Sequence, residues 1–289
     1  MKGIIIAGGN GTRLSPLTKV ISKALLPVYD KPMIYYPLSI LMEANIREIL
    51  IITTPQDKER YIDLLGDGKQ LGISIKYEIE TKPLGIAQAF IIGEKFIGDE
   101  GVTLILGDNI FYGNDFSAIM SRSINRKEGA TIFGYHVNDP ERFGVVEFNK
   151  DGKVISIEEK PKKPKTNYAV TGLYIYDNKV VEIAKKMKPS ERGELEITDI
   201  NKKYLDMGNL HVELLGDEFT WFDTGTHHSL YQTTKYIEET EREHSIKIGC
   251  IEEIAYEKGY ISKEQLVSLA QSLLKSGYGT HLVQTSKFK

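Results

Sequence analysis

The 289-residue chain is 41% hydrophobic and 27% charged, an ordinary globular composition that excludes a disordered chain and allows one large domain or two small ones. A net charge of −3 leaves no basic excess for nucleic acid or an anionic membrane, so any anion must be bound by a local cluster of Lys and Arg. The one cysteine, Cys250, rules out an intramolecular disulfide framework and a multi-cysteine metal site, and in "IKIGCIEEIA" it reads as a small buried residue rather than a nucleophile. No apolar run approaches the roughly 18 residues of a membrane span. The N-terminus lacks a signal-peptide shape, so the expected location is cytoplasmic.

In chain order, "GIIIA", "EILIIT", "ISIKYEI", "VTLILGD" and "TIFGYHV" are short, β-branched runs that predict strands, with helices expected between them at 37–44, 57–65 and 85–92. This βαβ alternation predicts an α/β fold, a Rossmann-like and mostly parallel sheet flanked by helices. The runs at 4–7 and 102–106 do not alternate apolar with polar, as expected of strands covered on both faces. From 143 to 176 the closely spaced "FGVVEF", "VISIEE" and "VTGLYIY" predict a small antiparallel subdomain laid over the sheet. Beyond Phe222 the chain reads as helical, most clearly at 226–243 and 263–275.

Three stretches carry chemistry. After the first strand come Gly8, Gly9 and Gly11, then Thr12 and Arg13, with Lys23 ten residues further on. The loop matches neither a dinucleotide fingerprint, which needs a glycine at Leu14, nor a P-loop, which needs Gly-Lys-Ser/Thr. It does offer backbone N–H groups and two cations at the edge where an open α/β sheet gathers phosphates. Asp108 ends the strand "VTLILGD" on that same edge, where a carboxylate can hold a hard cation such as Mg²⁺. Asp223 in "FTWFDTGTH" could be its partner, or Asp223 or Thr224 could simply cap the following helix. In "ISIEEKPKKPK", Glu159 and Lys160 end a strand and could serve sugar hydroxyls and a phosphate, while Lys162, Lys163 and Lys165 read as a solvated turn. Gly144 marks either a close approach to a ligand or a bulge.

"AGGNGTRLSPLT" with Lys23 in "SKALLP" resembles the signature of sugar nucleotidyltransferases. "YDKPMIYYPLS", "LGDNIFYG", "FGVVEF", "ISIEEKP", "TGLYIYDN", "RGELEITDIN" and "FDTGTH" are similar to one branch, the glucose-1-phosphate thymidylyltransferases, and the likeness runs from Met1 to about Tyr278. The resemblance implies transfer from dTTP to glucose 1-phosphate, giving dTDP-glucose and pyrophosphate. It implies nucleotide contacts at Gly8, Gly9, Gly11, Thr12, Arg13, Lys23, Glu80, Gly85 and Asp108. Catalytic roles fall to Arg13, Lys23, Asp108 and Lys160, sugar contacts to Gly144, Glu159, Lys160 and Val170, and Mg²⁺ to Asp108 and Asp223. It further implies a core over 1–225 that contains a sugar-binding insertion at 143–176, and a helical region at 226–289 serving assembly, in a homotetramer that binds an end-product effector between subunits. Two positions depart from the pattern, Glu80 and Ala24, where the family carries Gln, so a UTP-using or other sugar-1-phosphate enzyme stays open. A non-catalytic nucleotide-sugar-binding subunit would have no need to keep Arg13, Lys23, Asp108, Lys160 and Asp223 together.

Overall fold

The computed structural model describes residues 1–113 and 116–288. The first half runs β1 (Lys2–Ile6), the short strands β2 (Pro27–Val28) and β3 (Lys31–Pro32), α1 (Tyr35–Glu43), β4 (Glu48–Thr53), α2 (Lys58–Leu65), β5 (Ser74–Ile79), α3 (Gln88–Ile92), α4 (Glu94–Ile97), β6 (Val102–Leu106) and β7 (Asn109–Gly113). Then follow α5 (Phe116–Ile124), β8 (Ala130–His136), β9 (Gly144–Phe148), β10 (Val154–Glu159), β11 (Tyr168–Tyr176), α6 (Lys179–Lys186) and α7 (Ile197–Asp206). The chain ends with β12 (Leu210–Leu215), β13 (Phe219–Asp223), α8 (His227–His244), α9 (Ile251–Glu257), α10 (Lys263–Gln271) and α11 (Gly277–Phe288).

The unbroken apolar runs form the centre of the sheet. β1 pairs in parallel with β4 and with β6, and β4 in parallel with β5. Successive strand residues point to opposite faces, so Ile4, Leu50 and Leu104 pack with Phe90, Val181 and Ile200 on one side. Ile5, Ile51 and Ile105 pack with Leu38, Ile254 and Ala255 on the other. Full burial of each such side chain is worth about 1.5–3 kcal/mol, which is why a two-faced strand needs no polar alternation.

The antiparallel strands extend the sheet instead of lying over it. One edge of β11 pairs with β8 at both ends of the strand. Its other edge is shared, Ala169 facing Val145 of β9 and Leu173 to Tyr176 facing β6. β6 and β9 therefore meet along one edge of β11 and leave a fork between Val170 and Leu173, where the pairing with β8 is also interrupted. Burial on both faces of β11 reads the same from sequence whether the strand belongs to the sheet or to a layer above it; only its hydrogen bonds to β6 decide.

The helix expected from 85 starts later, at Gln88, because Gly85 sits at φ +107° against another segment. A Cβ there would meet the Leu195 carbonyl oxygen at 2.5 Å. Leu195 N–H donates to Leu84 C=O at 2.6 Å and Leu195 C=O accepts from Ala87 N–H at 3.2 Å, clamping this turn to the start of α7.

The helix at 263–275 ends at Gln271, and Lys289 lies outside the described residues. Ile237 and Ile248 of the C-terminal region pack with Leu14, Val28, Met33, Tyr36 and Ile110. Beneath them the wholly buried ammonium of Lys31 pairs with Glu241 at 2.9 Å and Asp30 at 2.7 Å, and Lys247 pairs with both acids. Among the described residues no helix is long and apolar enough to cross a membrane.

Candidate active site

β1 and β6 run side by side in register, Ile6 opposite Leu106, so the glycine loop and the Gly107-Asp108 turn emerge at one edge of the sheet. Gly9 and Gly11 take the left-handed conformations, φ +89° and +54°, that turn the chain into the short helical segment holding Thr12 and Arg13. Lys23 Nζ donates to the Asp108 carboxylate beneath this loop.

Asp108 and Asp223 come together because β7 and β13 pair antiparallel, Asn109 opposite Asp223. The ladder continues one step further, with Thr224 donating to the Asp108 carbonyl from its N–H at 3.1 Å and from its hydroxyl at 2.7 Å. Thr226 and Ser229, not Asp223 or Thr224, form the capping box of α8. The cap reading of Asp223 is thereby overturned. Asn109 locks the corner: its Oδ1 accepts from Gly172 N–H at 2.9 Å and Trp221 Nε1–H at 2.7 Å, and its Nδ2 donates to Asp108 at 3.0 Å.

Burial works against the charge on both carboxylates. At Asp108 the Lys23 ammonium and the Asn109 amide outweigh burial and hold the group below the usual carboxylate range. At Asp223 burial and the neighbouring Asp108 charge push the group up, opposed by Lys23, Arg13 and Arg142. Arg142 Nη2 lies 3.4 Å from Asp223 Oδ2. Two adjacent carboxylates, oxygen donors only and one raising the pKa of the other, are a donor set that fits a hard divalent cation.

The facing wall is built on β9, β10 and the segment before α7. Glu159 accepts from the Thr198 hydroxyl at 2.6 Å and lies 3.6 Å from Arg192. A Cβ on Gly144 would stand 3.1 Å from the Thr198 hydroxyl, 3.5 Å from Glu159 and 3.7 Å from Val170, so the bare backbone at 144 keeps this corner open. Lys160 adopts φ +45°, a conformation costing about 1 kcal/mol or more outside glycine, with its N–H on the Phe143 carbonyl and its ammonium half-exposed.

Between the walls lies a cleft of about 600 Å³, lined among others by Thr12, Arg13, Asp108, Gly144, Glu159, Lys160, Val170 and Asp223. The same cleft is lined by Asn109, Arg142, Arg192, Thr198 and Trp221, none of which was singled out from the sequence. Arg142 stands two residues before Gly144, and Arg192 and Thr198 lie within or beside "RGELEITDIN", so the signal was proximity to motifs already chosen. Gly9 and Lys23 line a second hollow of about 550 Å³ on the other side of the glycine loop, with Asn10, Ser22, Asp57 and Arg60. Glu80 leans on the loop from β5: its carboxylate oxygen is 2.6 Å from where a Cβ on Gly8 would be, and burial raises its pKa. Ala24 is buried, 3.2 Å from the place of a Cβ on Gly107.

Residues 2–240 match the nucleotidyl transferase family. The chain belongs to that family. A glucose-1-phosphate thymidylyltransferase of Neisseria meningitidis serogroup A is 55% identical over 287 residues, covering 99% of this chain and all of that one. The enzyme of the same name from Mycolicibacterium smegmatis is 51% identical over 98% of both chains. A Bacillus anthracis structure described as a glucose-1-phosphate thymidylyltransferase in complex with sucrose has a TM-score of 0.76 at 47% identity, covering 82% of this chain and 94% of that one. A UDP-glucose pyrophosphorylase bound to UDP-glucose shares the fold at a TM-score of 0.71 and 24% identity, over 83% of this chain and 98% of that one.

Proposed function

We propose that this cleft transfers the thymidylyl group of dTTP to glucose 1-phosphate, giving dTDP-glucose and pyrophosphate. The observation that carries the reading is the opposition of two walls: Asp108 and Asp223 with Arg13 and Arg142 on one, Lys23 reaching Asp108 from the neighbouring hollow, and Gly144, Glu159, Lys160 and Arg192 on the other. Such a cleft brings two polyanions together and neutralises both. The glycine-loop N–H groups at Gly8, Gly9, Gly11 and Thr12 cradle the triphosphate, and Arg13 takes up charge on the leaving pyrophosphate. Lys23 serves the nucleotide phosphates. Lys160 and Arg192 hold the sugar phosphate so that its oxygen attacks the α-phosphorus in line, while Glu159, Gly144 and the Val170 strand seat the sugar hydroxyls. Positioning and electrostatics suffice for this transfer, and no covalent enzyme intermediate is needed. One phosphoanhydride replaces another, so the reaction runs readily in both directions.

Asp108 and Asp223 would hold Mg²⁺, which would supply further neutralisation of phosphate oxygens. Glu80 and the turn at Gly85 face the base. The names of the relatives favour dTTP and glucose 1-phosphate. A UTP-using enzyme is the second reading, because uracil presents the same hydrogen-bonding edge as thymine and Glu80 stands where a base-reading amide is expected for either. On the same resemblance we place the enzyme in the cytoplasm as a homotetramer, with residues 226–289 serving assembly and an end-product effector bound between subunits. Pyrophosphate release with glucose 1-phosphate and Mg²⁺, measured across dTTP, UTP, CTP, ATP and GTP, tests the proposal. dTTP should lead; release with none of them would sink the transfer reading, and a lead by UTP would install the second.

A further inference from the structure

Away from the cleft, the described residues hold a cluster of three different metal-ligating side chains. Cys250 stands at the start of α9, Glu253 one turn into it and His281 on α11. Their sulfur, carboxylate oxygen and imidazole nitrogen all lie within 4.8 Å of one another. The transfer reaction uses none of them.

We propose that Cys250, Glu253 and His281 form a binding site for Zn²⁺ that ties the C-terminal helix α11 to the start of α9. The donor set selects the ion: thiol sulfur and imidazole nitrogen suit zinc, whereas Mg²⁺ and Ca²⁺ take oxygen ligands. The spacing is close to that of a tetrahedral site, whose bonds of about 2.0–2.3 Å put neighbouring ligand atoms roughly 3.4 Å apart. His281 Nε2 and Glu253 Oε2 are 2.8 Å apart in a hydrogen bond, so binding replaces that bond, leaves the imidazole proton on Nδ1, opens the pair toward the tetrahedral spacing and draws the sulfur in. The carboxylate is held by a second partner, Thr285 Oγ1 donating to Glu253 Oε1 at 3.1 Å, which leaves Oε2 turned to the histidine.

Charge and access fit as well. The Cys250 thiol is buried beside Tyr278 and the Glu252 and Glu253 carboxylates. Binding exchanges the S–H proton for the ion: the thiol and Zn²⁺ give a zinc thiolate and one released proton. Thiolate and carboxylate then balance the two positive charges. Glu253 also lines a cavity of about 190 Å³ with Glu43, Lys247, Gly249 and Glu257, so the cluster borders open space on its Glu253 side. Water takes the fourth position that three protein ligands leave open.

Full-length protein stripped by a chelator and titrated with Co²⁺ tests this. The expected result is a thiolate-to-cobalt charge-transfer band that saturates at one Co²⁺ per chain, is bleached by Zn²⁺, and is accompanied by proton release in weakly buffered solution. The Asp108 and Asp223 carboxylates contain no sulfur and cannot produce that band, so the outcome is independent of the transfer reaction. His281→Gln keeps a donor for Glu253 and keeps nucleotidyl transfer, yet should lose more Zn²⁺ affinity than Thr285→Val, for which about a tenfold loss is expected. Zn²⁺ should raise the Tm of the native protein and not that of His281→Gln. Absence of the band at saturating Co²⁺, or equal Zn²⁺ affinity in native protein and His281→Gln, would overturn the site and leave the cluster a hydrogen-bonded latch only.

Discussion

The Lys23 ammonium donates to the carboxylate of Asp108, joining residues 85 positions apart, one in the short helical turn before β2 and the other just past the end of β6. In the proposed reaction both partners have other work, Lys23 on phosphate and Asp108 on a divalent cation, so loading the site means exchanging this pair. Lys23→Ala should therefore tighten Mn²⁺ binding to the nucleotide-free protein while weakening dTTP. Spin-resonance titration of Mn²⁺ and calorimetry of dTTP read the two changes separately. A variant that loses affinity for both would show that Lys23 organises the site and holds no cation's place.

Asp223→Asn removes a carboxylate that burial and Asp108 already disfavour as an anion. The folded protein should lose no stability by this change, whereas Mg²⁺-dependent turnover should fall by most of its value. Arg13→Ala belongs to the same wall and should lower kcat by about 10² to 10³, the scale for losing one positioned charge-stabilising donor. Thermal melts beside steady-state kinetics check both. A fall in Tm for Asp223→Asn would contradict the stated electrostatics, and an effect of Arg13→Ala confined to KM would move Arg13 to ground-state binding.

Glu80 gives a pH prediction. A thymine or uracil edge asks for a donor and an acceptor; a protonated carboxyl supplies both and an ionised one supplies no donor. KM for dTTP should rise as the pH climbs through the raised pKa of Glu80, and Glu80→Gln should flatten that profile and lower KM, the mismatch being worth about 1–3 kcal/mol. Stability follows the same sign. A carboxyl pKa raised by folding gives stability that is complete below the unfolded pKa and lost as pH rises through the folded one, so the Tm advantage of Glu80→Gln should grow with pH. Matching KM and Tm profiles for the two proteins would remove Glu80 from the base pocket.

Asn109→Ala strips the shared acceptor from two buried donors, Gly172 N–H and Trp221 Nε1–H. Each orphaned donor costs about 1–3 kcal/mol, so the variant should unfold measurably earlier in urea. Its kcat should fall further than its KM rises, because Asp108 loses the amide that orients it. Unchanged kcat in folded protein would confine Asn109 to a structural role.

Gly85→Ala separates two uses of one residue. At φ +107° and 2.5 Å from the Leu195 carbonyl, an added Cβ must break the clamp on the start of α7, which carries Thr198. The effect should therefore reach the sugar side, raising KM for glucose 1-phosphate together with that for dTTP. A change in dTTP alone would favour a direct base contact.

How far the chain could be read depended on whether a feature was local. The unbroken runs at β1 and β6 announced a doubly covered sheet, and the residues at their tips announced its working edge. What stayed illegible was pairing at a distance. Nothing in "VTGLYIY" says that β11 will hydrogen-bond to β6, and this made a sheet extension look like a separate layer. Asn109 was passed over although it adjoins Asp108, because its value comes from Gly172 and Trp221, residues far along the chain. Asp223 was ambiguous for the same reason: cap and ligand look alike until the β7–β13 ladder sets it beside Asp108.

The fork in the sheet has a mechanical consequence. Both walls of the cleft descend from one edge of a single nine-residue strand, and β11 is stitched along its opposite edge to β8. To hinge the walls apart would mean breaking the β6–β11 ladder or the Ala169–Val145 pairing that ties β9 to the same edge, so the gap works more as a machinist's jig than as a clamp. Workpieces of the wrong length are turned away by fixed spacing, and new ones can be admitted by reshaping the loops that overhang it without recutting the frame.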